Sequence, residues 1–183
     1  MRPRRDSTSL STCTPACPLN RWPTCTTRAC ARSWGWYSRP DYGWHCETSL
    51  HALRLIVAGV FDRWPGLKII IGHLGEGIPF HLGRIDDMFA RHADRLAKPV
   101  SVYFRHNFWV TTSGYFFDGP FQLAREAFGD DRIILFVDYP FSDNKRATDW
   151  FQQLDLPNEI REQIAYGTAE ALLGITTGEA RPL

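Results

Sequence analysis

A chain of 183 residues that is 44% apolar and 14% aromatic can bury the core of one ordinary domain, which excludes a disordered tail. Its 21 Lys and Arg against 20 Asp and Glu leave a net charge of +1, so there is no general pull towards nucleic acid or acidic lipid. No apolar run approaches the ~20 residues of a membrane helix, and the Arg-bearing N-terminus lacks the apolar centre of a signal peptide. A cytoplasmic protein without nucleic-acid or membrane partners is expected.

In chain order the character changes once. Residues 1–43 are irregular: their first 33 hold arginine but no lysine, much Ser, Thr and Pro, and Cys13, Cys17, Cys25 and Cys30. From residue 44 to 183 the pattern becomes regular. "ETSLHALRLIVAGVFDRWPG" sets Leu50, Leu53, Ile56, Val57 and Val60 at helical spacing and stops at Pro65-Gly66. "LKIIIGH" predicts a strand buried on both faces, as in a parallel sheet. "EGIPFHLGRIDDMFARHADRL" predicts a helix with Ile78, Leu82, Ile85 and Phe89 on one side. "NFWVTTSG" is a strand, "GPFQLAREAFG" a short helix closed by Gly129, and "RIILFVDYP" a third strand broken by Pro140. "DNKRATDWFQQL" and "PNEIREQIAYGTAEALLGI" end the chain as helices. The order α-β-α-β-α-β-α-α implies an α/β fold with right-handed crossovers. Three strands are too few for a closed barrel, so the pattern is that of part of a fold.

In parallel α/β folds the carboxyl ends of strands face the site. Two such ends carry suitable chemistry. "IIIGHLGE" ends in His73 with Glu76 three residues on, and "ILFVDYPF" contains Asp138. An imidazole and a carboxylate can ligate a zinc- or manganese-like ion, or act as acid and base. Glu76 can hold the second ring nitrogen of His73 and fix its tautomer. Equally, His73 could cap the next helix and Asp138 could be a turn residue. His45 stands among Trp36, Tyr37, Tyr42 and Trp44, as a pocket wall or one more member of an aromatic cluster. Arg84 could reach the pocket mouth or lie on a solvated helix face. His51, His81, His92 and His106 are weaker candidates, and Thr111 to Gly114 ("TTSG") could bind a ligand or nothing.

Three of these segments, "ETSLHALRLIVAGVFDRWPGLKIIIGHLGEGIPFHLGRID", "NFWVTTSGYF" and "RIILFVDYPF", resemble in order the amidohydrolase-related family of metal-dependent decarboxylases and hydrolases. Its members include γ-resorcylate decarboxylase and aminocarboxymuconate-semialdehyde decarboxylase. The resemblance runs from about His45 to Ile175. It implies the last three strands, with their helices, of a (β/α)8 TIM barrel around one divalent ion, zinc or manganese. It also implies that His73 is the catalytic histidine of a "GHxGE" segment, Glu76 its acidic partner and Asp138 a metal ligand. The substrate implied is a small carboxylic acid, aromatic or unsaturated, that loses its carboxylate or is hydrolysed; a homo-oligomer is an open expectation.

The chain departs from the family pattern where other metal ligands belong. Nothing corresponds to the first-strand "HxH" or "ExH" pair, no His-Pro occurs, and Thr168 stands where relatives often carry asparagine. The odd segment offers an account. "DSTSLSTCTPA" can be encoded by bases which, read from the third base of the first codon, spell Leu-Asp-Val-Pro-Leu-Tyr-Leu-His-Pro-Arg, the expected ligand strand. Residues 1 to between Arg28 and Trp44 therefore read as an out-of-frame translation. Two rival readings are a catalytically inactive fragment acting only through self-association, and a Cys/Arg-rich arm binding zinc or nucleic acid.

Overall fold

The computed structural model describes residues 42–92 and 96–175. Residues 1–41, which hold most of the irregular segment, its four cysteines and most of the stretch read as out of frame, lie outside the described residues.

The first predicted helix is two. α1 (Gly43–Val57) ends at Ala58, Gly59 turns left-handed at φ 71°, and α2 (Val60–Arg63) follows. Its buried residues are His45, Ala52 and Ile56, whereas Leu50 and Val57 of the predicted stripe are exposed. Positions 45, 52 and 56 also share one helical face, so the helix packs on a neighbouring stripe to the one its leucines suggest.

β1 (Ile69–Ile71), β2 (Phe108–Thr111) and β3 (Ile133–Ile134) form a parallel sheet in the order β1-β2-β3. Ile70 pairs with Trp109, and Val110 with Ile133. Expected burial of the first strand on both faces is corrected here. Ile71 is buried but Ile70 is 49% exposed, because successive side chains alternate and only one face of β1 meets the helical layer. On the open face Trp109 is covered instead by the side chains of Arg132 and Lys68.

α3 (Ile78–Phe89) buries Ile78 and Leu82, with Ile85 and Phe89 half-buried against the same core. α4 (Val100–Asn107) is a helix that the sequence reading lacks. Its Val100, Tyr103, Phe104 and Asn107 are buried at positions i, i+3, i+4 and i+7, so packing overrides the strand preference of Val, Tyr and Phe. Asn107 donates to the carbonyls of Pro65 and Leu67 and ties this helix to the loop before β1.

α5 (Asp118–Phe128) packs Phe121, Ala124 and Phe128 into the core. After β3 the chain pairs irregularly: Thr112 Oγ1 accepts from the Phe136 amide and donates to the Phe136 carbonyl. The third strand is thus shorter than "RIILFVDYP" predicts, since a threonine side chain replaces the backbone ladder there. α6 (Asn144–Gln153) starts at Asp143, whose carboxylate accepts from the Arg146 amide at 2.7 Å. α7 (Asn158–Glu162) leads through a π turn at Gln163–Gly167 into α8 (Thr168–Leu173), and the Ile164 carbonyl within that turn accepts from the Leu135 amide.

Candidate active site

The site begins with a backbone of unusual hand. Directly after β1, His73, Leu74, Gly75, Glu76 and Gly77 all have positive φ, from 50° to 88°. This left-handed turn closes with the Gly75 amide on the Gly72 carbonyl at 2.8 Å. Each L-residue held so costs about 1–2 kcal/mol, and such strain persists where the surrounding structure enforces it. Here Leu74 is buried, and a Cβ at Gly75 would stand 2.8 Å from the Phe128 ring. The turn has two consequences. It aims His73 and Glu76, three residues apart, at each other, and it buries the Glu76 carboxylate.

His73 Nδ1 lies 2.8 Å from Glu76 Oε1. A carboxylate only accepts, so Nδ1 is the donor in this contact, and in the neutral ring Nε2 then keeps its lone pair. That Nε2 faces Asp138 Oδ2 at 3.9 Å. Asp138, with φ 76°, sits at a turn beyond β3 where its carbonyl accepts from the Phe141 and Ser142 amides. The hydrogen bond that His73 donates to Glu76 pushes its pKa above the ordinary 6.5; partial burial opposes this, and the charges of Glu76 and Asp138 add to it.

The second Glu76 oxygen, Oε2, is taken by Nδ1 of His45, from the first turn of α1. Both side chains are buried. The His45 ring stands edge-on to His73 at 4.8 Å and to Tyr115 at 5.3 Å. Tyr115, unsuspected from the sequence, follows "TTSG" and closes the cluster, with its ring 5.8 Å from His73. Burial, assisted by the Glu76 charge, pushes its hydroxyl up, so it stands as a neutral donor. Its signal lay one residue past the predicted strand "NFWVTTSG", where the aromatic pair Tyr115-Phe116 follows Gly114.

The remaining candidates lie elsewhere. Arg84 is exposed on α3, and no hydrogen bond or ion pair among the described residues joins it to the cluster. His51, His81 and His106 are also exposed. Thr111 pairs with Ser113 at 2.6 Å, while Thr112 holds Phe136.

His45, His73 and Glu76 each offer one ligand atom within 4.8 Å of the others. Both Nδ1 atoms are already committed to Glu76, however, so this carboxylate orients imidazoles. Of the donors left open, His73 Nε2 and the Asp138 carboxylate are the two that face each other, at 3.9 Å. One imidazole and one carboxylate suit a divalent ion in kind but fall short of the three or more protein ligands of a catalytic site. The residues fit part of a metal site, with further ligands required from outside them.

Residues 15–175 match the family described as amidohydrolase. The chain belongs to the amidohydrolase family. Against curated relatives, this amidohydrolase is 41% identical over 142 residues to the decarboxylase orsB of Emericella nidulans, covering 74% of this chain and 43% of that one. It is 38% identical over 141 residues to γ-resorcylate decarboxylase of a Polaromonas species, covering 75% and 43%. Among solved structures, 5-carboxyvanillate decarboxylase from Sphingomonas paucimobilis superposes with a TM-score of 0.74 at 32% identity, over 82% of this chain and 47% of that one. A dihydroxybenzoic acid decarboxylase from Polaromonas, solved with manganese and 2-nitroresorcinol, gives 0.71 at 34% identity over 82% and 47%. The amidohydrolase chain thus spans about half the length of the relatives it matches, and its sheet and helices are the carboxyl-terminal portion of their TIM barrel. The family match enters the irregular segment at residue 15. No helix among the described residues is long and apolar enough to cross a membrane.

Proposed function

We propose that this chain carries the carboxyl-terminal half of the active site of a metal-dependent decarboxylase acting on a small carboxylated aromatic acid. The observation that carries the reading is His73, held by Glu76 with its Nε2 turned to Asp138, at the carboxyl ends of parallel strands. Relatives named as γ-resorcylate and carboxyvanillate decarboxylases support the substrate class.

In this reading protonated His73 delivers the Nε2 proton to the ring carbon that bears the carboxylate. The carbon–carboxylate bond then breaks, its electron pair stays on the ring carbon, and carbon dioxide leaves. Glu76 keeps Nδ1 protonated, so the exchangeable proton is confined to Nε2. Tyr115 supplies a neutral hydroxyl and an apolar ring beside the imidazole. Asp138, together with ligands outside the described residues, would hold a divalent ion, manganese by likeness to the Polaromonas relative, that supplies positive charge to the substrate's carboxylate and neighbouring hydroxyl.

Joining residues 44–175 to the amino-terminal portion of the Polaromonas γ-resorcylate decarboxylase tests the reading. With manganese, that chimaera is expected to release carbon dioxide from 2,6-dihydroxybenzoate, and His73→Asn to slow release by about 10²–10⁴-fold. A folded, manganese-loaded chimaera that leaves this acid and 5-carboxyvanillate intact overturns it. The departure of residues 1 to between Arg28 and Trp44 belongs to the same proposal, as an out-of-frame stretch that in the other frame spells a His-Pro ligand strand. The gene's bases decide this: if they cannot spell His-Pro in the alternative frame, the stretch is a genuine arm.

A further inference from the structure

We propose that His45 is a positioning residue that locks the tautomer of His73 through Glu76. The proposal rests on the reading of His73 as the proton-handling group and extends it by a residue on a different element.

A lone carboxylate facing one imidazole can turn about its last torsion and offer either oxygen, or neither. Glu76 is denied that freedom because each oxygen has its own imidazole: Oε1 takes His73 Nδ1 and Oε2 takes His45 Nδ1. No other side chain among the described residues bonds this carboxylate. Glu76 is buried, so losing one imidazole would strip an oxygen of its partner where water cannot readily replace it. The carboxylate would then reorient, and the preference for a proton on His73 Nδ1 would weaken.

The two anchors differ in exposure and footing. His45 is buried on α1, on the face shared with Ala52 and Ile56, and its ring meets both His73 and Tyr115 edge-on. His73 is partly exposed on the strained turn. The rigid partner therefore sets the carboxylate plane, and the carboxylate sets the ring so that Nε2, beside Asp138, is the atom that takes up and gives away the exchangeable proton. A buried imidazole carried on a helix suits the part of a fixed anchor.

Nitrogen-15 NMR of the imidazole rings tests this on the chain itself, above the titration range of His73, without any need for turnover. Wild-type His73 is expected to show a protonated Nδ1 and a bare Nε2. His45→Phe, which keeps a ring against His73 and Tyr115 but cannot donate, is expected to shift His73 towards a mixture with protonated Nε2. His45→Gln, which can still donate an amide N–H to Glu76, is expected to restore the wild-type pattern. If His45→Phe loses its helical circular dichroism, His45→Ala takes its place. Retention of the wild-type tautomer in the folded non-donating variant overturns the proposal, as does a wild-type His73 protonated on Nε2. Because the readout is a tautomer, it separates the two readings: a chimaera without turnover sinks the decarboxylase reading and leaves the His45 result standing.

Discussion

Glu76 serves two imidazoles, but only His73 is open enough to exchange protons with a substrate, and its environment tilts the balance towards the charged ring. The hydrogen bond it donates to Glu76 raises its pKa most, and the Asp138 charge adds to that. The sign for stability follows. A histidine whose pKa is higher folded than unfolded stabilises the fold fully below its ordinary pKa of about 6.5, and that contribution is lost as pH rises through the raised value. Wild type should therefore resist urea better than His73→Gln below about pH 6.5, with the gap closing as pH climbs through the raised pKa. Urea midpoints at several pH values check this; a gap that widens with pH would contradict it. At this scale the sequence was legible where proximity follows from strand position: the ends of parallel strands lie side by side, so His73, Glu76 and Asp138 were expected to meet, and they do. The anchoring by His45 and the ring of Tyr115 were not legible, since both depend on which helix face and which loop pack against the turn.

Among the elements, the left-handed turn after β1 is where the sequence said least. "GHLGEG" carries three glycines, yet nothing in its spacing announces that His73, Leu74 and Glu76 share their hand. The helices tell the same story in reverse. The predicted stretch "DNKRATDWFQQL" forms α6, with Asp143 as its cap, whereas α4 hid behind its β-favouring residues although Val100, Tyr103, Phe104 and Asn107 keep a helical period. Gly75 and Gly77 separate the two costs built into the turn. Both have positive φ, but a Cβ at Gly75 meets the Phe128 ring at 2.8 Å whereas one at Gly77 meets nothing within 4 Å. Gly77→Ala should then cost only backbone strain, about 1–2 kcal/mol. Gly75→Ala adds overpacking of 1–3 kcal/mol, about 2–5 kcal/mol in all. Denaturant titration of the two variants measures the difference, and equal losses would mean that Phe128 moves aside freely.

At the scale of the whole molecule, the parallel sheet was legible as part of a barrel, and its open edges follow from that. Among the described residues β1 and β3 each pair only with β2, so two strand edges present unpaired backbone groups. The apolar side chains beside those edges are open as well: Ile70 on β1, and Phe136, Tyr139 and Phe141 in the segment after β3. A free chain with such edges gains by pairing with another copy, burying strand backbone and apolar surface together. Sedimentation velocity at tens of micromolar is expected to show species heavier than the 21.0 kDa monomer. Ile70→Lys places a charge at the centre of the β1 edge and removes the apolar contact of one isoleucine, about 1.5–3 kcal/mol when fully buried, and should weaken association roughly tenfold or more. Because Ile70 is already half exposed and faces away from the helical layer, the substitution should leave the helical circular dichroism unchanged. Association that withstands Ile70→Lys would move the contact to the β3 edge, where Phe136→Lys is the matching test. A wild-type chain that sediments as a monomer at these concentrations would show that Lys68 and Arg132, lying over Trp109, protect the open face well enough on their own.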